Sequence, residues 1–310
     1  MSAMVSLPGI WSSDGDSALG WTLRTSSFGA DEISNAHYDG STYWVSVGGA
    51  GKLATATDPT GTWTQRTSSF GATLILDVWW DGTYWTAVGF EGKIATATDP
   101  TGTWTQRANP FSSGGGDFIS SCFFGNGVWV ASGSGGEICT ATDPTGTWTA
   151  RTSSFGASNV YGQAYGNAVW VAVGDGGKIA TATDPTGTWT QRANPFSAIN
   201  VRDSFYGDGI WCAVAYDGEI ATAPDPTSTW TLTTTSFGAT DDFRRLYFGN
   251  GRFGAGGLTD VIGTSFDADS TWDVNTTPFG GSNVLGIAYG TDGNWVATGA
   301  AGKLATAPGI

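Results

Sequence analysis

The chain has 310 residues, 40% of them hydrophobic, and a formal net charge of −14. That apolar content excludes a disordered chain, and with no basic stripe to neutralise phosphates no nucleic acid is an expected partner. Its 48 glycines follow no three-residue period, which excludes collagen and points to many tight turns.

Residues 1–15 stand outside any repeat and read as an N-terminal extension. They lack a basic stretch followed by an apolar one, so no ordinary secretory signal is expected. No apolar run is long enough to span a bilayer, and no membrane insertion is expected.

From residue 16 to 310 one unit of about 42 residues repeats seven times. Its clearest anchor is a tryptophan, at Trp21, Trp63, Trp104, Trp148, Trp189, Trp230 and Trp272. Five residues before each stands an aspartate, from Asp16 and Asp58 to Asp267, and seven residues after each a phenylalanine, from Phe28 to Phe279. Within residues 33–66 the pattern predicts four strands. Ile33 to Tyr38 is the first, and a turn at Asp39-Gly40 ends it. Tyr43 to Val47 is the second, rich in aromatic and β-branched residues. Gly48 to Gly51 turns the chain into a third, Lys52 to Thr57. The turn at Asp58-Pro59-Thr60-Gly61 leads into a fourth, Trp63 to Arg66.

A four-stranded antiparallel repeat of this length is a propeller blade, so the predicted fold is all-β, a seven-bladed β-propeller. The last unit stops after its third strand, at Leu304 to Pro308. The first anchor, Gly20 to Arg24, is a fourth strand with no blade before it. The N-terminal strand is therefore expected to complete the last blade and close the ring.

Each second strand carries a large aromatic: Trp44, Trp85, Trp129, Trp170, Trp211, Phe253 and Trp295. Recurrence in all blades makes them wedges between sheets rather than ligand platforms. Cys122, Cys139 and Cys212 fall at repeat positions held elsewhere by Ala or Val, so buried thiols and no disulfide framework are expected. Arg66, Arg107, Arg151 and Arg192 end outer strands, where charge discourages edge-to-edge pairing.

The turn Asp58-Pro59-Thr60-Gly61-Thr62-Trp63 looks like the Asp-box of BNR (sialidase-type) repeats, except that the Gly follows the Asp by three residues rather than two. The whole unit, with Trp44-Val45-Ser46-Val47-Gly48 and Trp63-Thr64-Gln65-Arg66, resembles repeats frequent in tail and other virion proteins of bacteriophages. The resemblance implies that the seven aspartates hold turns and are neither acids nor metal ligands.

Function is expected where the repeats differ. The third and fourth strands are nearly identical between units and the first strands are not. At one aligned position stand Ser34, Leu76, Ser120, Tyr161, Arg202, Arg244 and Leu285. At the next stand Asn35, Asp77, Ser121, Gly162, Asp203, Arg245 and Gly286. Arg202, Arg244 and Arg245 are unusual in so acidic a chain, and Tyr161 and Tyr247 lie close in register. Guanidinium forks suit carboxylate, sulfate or phosphate. Two readings stand: an anion or acidic-glycan site at the mouth of the central channel, or an internal salt-bridge set with Asp203, Asp241 and Asp242. Separately, Phe90 and Tyr216 in variable turns, with the Trp79-Trp80 pair, are candidate protein or glycan contacts.

Sialidase chemistry would need the arginines plus a Tyr nucleophile, a carboxylate helper and a separate acid. Glu137 and Glu219 occupy the repeat position of Lys52, Glu91 lies in an adjacent turn, and Glu32 has no arginine partner in its own blade. His37, the only histidine, has neither a nucleophile turn beside it nor companions for a metal. No catalytic residue, metal or cofactor is assigned. The expected function is a non-enzymatic binding or structural propeller of a phage virion, a tail, spike or decoration component. Its expected partners are other virion proteins or a host surface glycan or receptor. A free lectin-like propeller is the alternative, and a sialidase-like glycoside hydrolase the second. The virion is the expected location, with export by another route or the cytoplasm as alternatives.

Overall fold

Seven four-stranded antiparallel sheets form the protein, in a computed structural model that describes residues 19–111, 116–233, 235 and 237–309. The proposed extension, residues 1–15, and the first turn aspartate, Asp16, lie outside the described residues. Blades 1 to 6 span residues 33–66, 75–107, 119–151, 160–192, 201–233 and 243–276, each four consecutive strands. Blade 7 takes three strands from residues 284–308, and its outermost strand is Thr22–Arg24. That strand pairs antiparallel with Leu304–Pro308, with Thr22 opposite Thr306 and Arg24 opposite Leu304. The innermost strands touch in order round the ring, and that of blade 7 touches that of blade 1. The ring is closed as the repeat register predicts.

The core lies between blades. Trp44, Trp85, Trp129, Trp170, Trp211, Phe253 and Trp295 are all essentially inaccessible. They fill the wedge where flat sheets diverge, and truncating one such ring costs about 3–5 kcal/mol. Against each packs an aromatic near the end of the innermost strand, from Tyr38 on Trp44 to Tyr289 on Trp295, both pairs 5.2 Å between centroids. The three cysteines are buried, and burial raises each thiol well above its ordinary pKa.

The Asp turns are built as the residue types dictate. Asp58 accepts hydrogen bonds from the Thr60 amide at 2.8 Å and the Thr60 hydroxyl at 2.7 Å, and the Trp63 indole donates to the Pro59 carbonyl at 3.1 Å. The same set recurs at Asp99, Asp143, Asp184 and Asp225. Hydrogen bonds to Thr hold these carboxylates below the usual range. The arginines ending outer strands do more than guard an edge. Arg66, Arg107, Arg151 and Arg192 fold back on their own sheets, each donating Nε to a third-strand threonine hydroxyl at 2.7–2.9 Å.

One glycine shows how neighbouring blades lock. Gly51 sits at φ +65°, and a Cβ there would lie 2.0 Å from the Gly71 carbonyl oxygen. Only a bare backbone lets the second-to-third-strand turn of blade 1 meet the loop that enters blade 2.

Candidate functional site

All seven innermost strands carry a β-bulge at the same place. In blade 1 Ile33 pairs with Gly48 and Asn35 with Val47, so Ser34 is left out of the ladder. The extra residue in the other blades is Leu76, Ser120, Tyr161, Arg202, Arg244 and Leu285. These are the residues of the first variable position. A bulge breaks strict alternation and re-aims side chains. Here it turns all seven toward the axis, where they line one cavity of about 370 Å³.

The cavity has unlike sides. On blades 4 to 6, the Arg202 guanidinium lies 3.7 Å from the centre of the Tyr161 ring and 5.2 Å from that of Tyr216. Arg244 stands 5.2 Å from the same Tyr216 ring. Across the ring stand Leu76 of blade 2 and the ring pair Phe90 and Phe118, whose centroids are 5.8 Å apart, while Leu285 of blade 7 comes next to blade 6 and its Arg244. Glu32 and Asn283 complete the rim.

Arg245 plays a different part. Its Nη2 crosses the channel from blade 6 and donates to the carbonyls of Leu76 at 3.3 Å and Ser120 at 3.1 Å, with the Asp77 carboxylate at 3.8 Å. Asp77 in turn accepts from Asn35, Ser121 and the amides of Val78 and Cys122. Asp203 repeats the pattern, accepting from the amides of Ser204 and Leu246. Each of these aspartates thus ties its own bulge to the next blade. Below, stacked rings close the channel: His37 on Trp79 at 4.1 Å, Trp79 on Phe123 at 4.3 Å, Phe205 on Tyr247 at 4.9 Å.

Arg245 is thus ion-paired inside the protein, with Asp77 rather than with the Asp203, Asp241 and Asp242 expected from the sequence, and its neighbours are not. Among the described residues neither Arg202 nor Arg244 forms an ion pair, and the buried Nε of each has no acceptor. Asp241 and Asp242 are taken up by the amides of Gly238 and Asp217 and the Thr259 hydroxyl. Burial, then the charges of Arg244 and Arg245, pulls the Arg202 pKa below the ordinary arginine value.

The residues singled out in the sequence sort differently from their grouping there. Arg202, Arg244, Arg245 and Tyr161 do meet. Tyr247 does not join them: it lies in the aromatic floor, where burial pushes its hydroxyl up to about 12. Phe90, placed in a separate loop patch, lines the arginine cavity, and Tyr216 of the same patch lies against Arg202 and Arg244. Trp79 and Trp80 do not belong to that patch, because Trp79 stacks in the floor and Trp80 packs on Trp85 at 5.2 Å. Glu32, set aside for want of an arginine partner in its own blade, lines the same cavity as Arg202 and Arg244 of blades 5 and 6. Phe118 and Asn283 were missed. They and Glu32 share one repeat position just before the bulged strand, and variability there was the available signal.

Hydrolytic chemistry fits poorly. Burial and a hydrogen bond to Asp175 raise the Tyr161 pKa, opposite to what a nucleophile needs. Burial pulls His37 down to about 3, so it stays neutral in the floor. Among the described residues no group of three or more His, Cys, Asp or Glu is placed to hold a metal. None of their helices is long and apolar enough to cross a membrane.

Buried Asp203 and the exposed turn aspartates set a pH window. Burial raises Asp203 from 3.8 to about 6, against the pull of Arg245 and the Leu246 amide. A raised folded pKa disfavours the native state progressively above the unfolded value, in full above about 6. The turn aspartates, with lowered pKa, contribute stability that is lost as pH falls below about 4. The melting temperature is expected to peak between these limits, and an Asp203→Asn variant should lose the decline from pH 5 to 7.5. A decline of equal size in that variant would remove Asp203 as its cause.

No protein-family model matches the chain, and no curated protein is significantly similar to it in sequence. Its fold is widespread among solved structures. YCF48 bound to D1 peptide is 19% identical with a TM-score of 0.74, over 94% of this chain and 97% of that one. Virginiamycin B lyase from Staphylococcus aureus is 11% identical with a TM-score of 0.80, over 94% and 99%. The WD40 β-propeller domain of Doa1 is 10% identical with a TM-score of 0.74, over 93% and 96%. At such identities the likeness establishes the propeller fold and nothing finer.

Proposed function

We propose that the protein is a non-enzymatic binding propeller whose channel mouth captures an anionic group of a protein partner through Arg202 and Arg244. One observation carries this: among the described residues two partly buried guanidinium groups that form no ion pair, each with a buried Nε lacking an acceptor, face an open cavity. Buried polar donors are nearly always paired, and two adjacent like charges are relieved by an anion. Tyr161 and Tyr216 pre-position the forks, which lowers the ordering cost of binding. A peptide partner is supported by the similar propeller solved with a D1 peptide. A lyase reading is disfavoured, because a histidine variant of the similar lyase is catalytically inactive and the only histidine here is sealed in the floor. A phage tail, spike or decoration role rests on the resemblance of the repeats alone. Mass spectrometry of purified particles tests it, and absence of the chain from them ends it.

An Arg202→Ala/Arg244→Ala variant should keep the wild-type melt and bind acidic peptides or glycans from an array about a hundredfold more weakly. Each charge-assisted hydrogen bond contributes about 1.5–3 kcal/mol, and 1.4 kcal/mol is tenfold in affinity. Equal binding by both proteins would refute an arginine site.

A further inference from the structure

Resting on that reading, we infer that the ligand is the C-terminus of a polypeptide ending in an apolar residue, inserted carboxylate-first between the arginines and the facing rings. Three features of the cavity lead there. First, it is blind. Arg245 spans from blade 6 to carbonyls of blades 2 and 3, and the stacked rings of His37, Trp79 and Phe123 close the channel beneath. A chain cannot thread through, so what enters is an end or a single side chain. Second, it is small. About 370 Å³ is near the lower limit of ligand pockets, roughly 300–1,000 Å³, and suits one or two residues rather than an oligosaccharide.

Third, it is polarised across its width. Arg202 and Arg244 of blades 5 and 6 hold one side, and Leu76, Phe90 and Phe118 of blades 2 and 3 the other. A ligand that satisfies both has one negative charge and an apolar body a few ångströms away. A terminal carboxylate with the side chain on the same residue has that spacing built in. A polyanion does not, and the Glu32 carboxylate on the rim would repel a second negative charge. Side-chain carboxylates within a strand meet the arginines but offer the rings nothing.

The test uses the full chain, immobilised, and mixtures of random hexapeptides with a fixed last residue (Phe, Leu, Gly or Lys), each made as free acid and as amide. Bound peptides are eluted and quantified. Free acids ending in Phe or Leu should be retained at least about tenfold over their amides and over the Gly and Lys acids. Phe90→Ala should level the preference for the last side chain while keeping acid over amide. If acids and amides are retained equally but retention still needs Arg202 and Arg244, the chain-end inference is overturned and the anion site stands. If the wild type retains no peptide, both fall.

Discussion

A chain lacking residues 1–25 is expected to lose the single cooperative melt of the full protein and to associate. The deleted segment contains Thr22–Arg24, the outer strand of blade 7, and Leu19, which is buried in the core beside Phe279 and Trp295. Burying a leucine contributes about 1.5–3 kcal/mol. The larger loss is topological. The pairing of Leu23 with Ala305 ties the two ends of the chain together. Without it blade 7 has no outer strand, and Leu304–Pro308 becomes an unpaired edge. Such an edge is a template for another chain. Size-exclusion chromatography and a thermal melt check this directly. A monomeric truncated protein with an unchanged melt would show that closure contributes nothing.

Arg245→Ala is expected to destabilise by about 3–5 kcal/mol, while Arg244→Ala, one residue earlier, leaves the melt unchanged. Removing one partner of a buried charge network leaves the other uncompensated, and the cost is of that order. Here Asp77 would stay behind, 4% exposed, with Asp203 buried close by. Two carbonyls, of Leu76 and Ser120, would also lose their donor. Arg244 holds no carboxylate, so its loss strands nothing. Denaturant melts of both variants decide the matter, and adding Asp77→Asn to Arg245→Ala should recover part of the loss. Equal stability of the two single variants would contradict the division of labour described for these neighbours.

That division was not legible in the sequence, and the reason is local. Arg244 and Arg245 are consecutive, of one type, and both in the variable part of the innermost strand. Only the bulge separates them, placing one in the mouth and the other across the floor. The blades themselves were legible because Trp63, Asp58 and Phe70 recur in fixed register, Asp58 and Trp63 holding the turn between third and fourth strands and Phe70 buried in the core. Ring closure followed from the complementary ends at Arg24 and Pro308. The site was half legible. The seven bulge residues were visible as a variable column. Phe90 and Tyr216 were not connected to them, since each lies about 14 residues after its own bulge and returns to the mouth only through the antiparallel turn. Trp79 was misplaced for a related reason. In an outer strand an aromatic pair suggests a surface, but in the innermost strand the surface is the channel, and it is filled.

The bulge at one fixed register has a further consequence for how this architecture can change. The side chain at each bulge takes no part in the ladder, so replacing it leaves strand pairing intact. The mouth thus reads as a seven-letter word, Ser-Leu-Ser-Tyr-Arg-Arg-Leu, of which the third letter, Ser120, also bonds the backbone through its hydroxyl. Selection or a designer can rewrite specificity at such letters one at a time without breaking a rung of strand pairing.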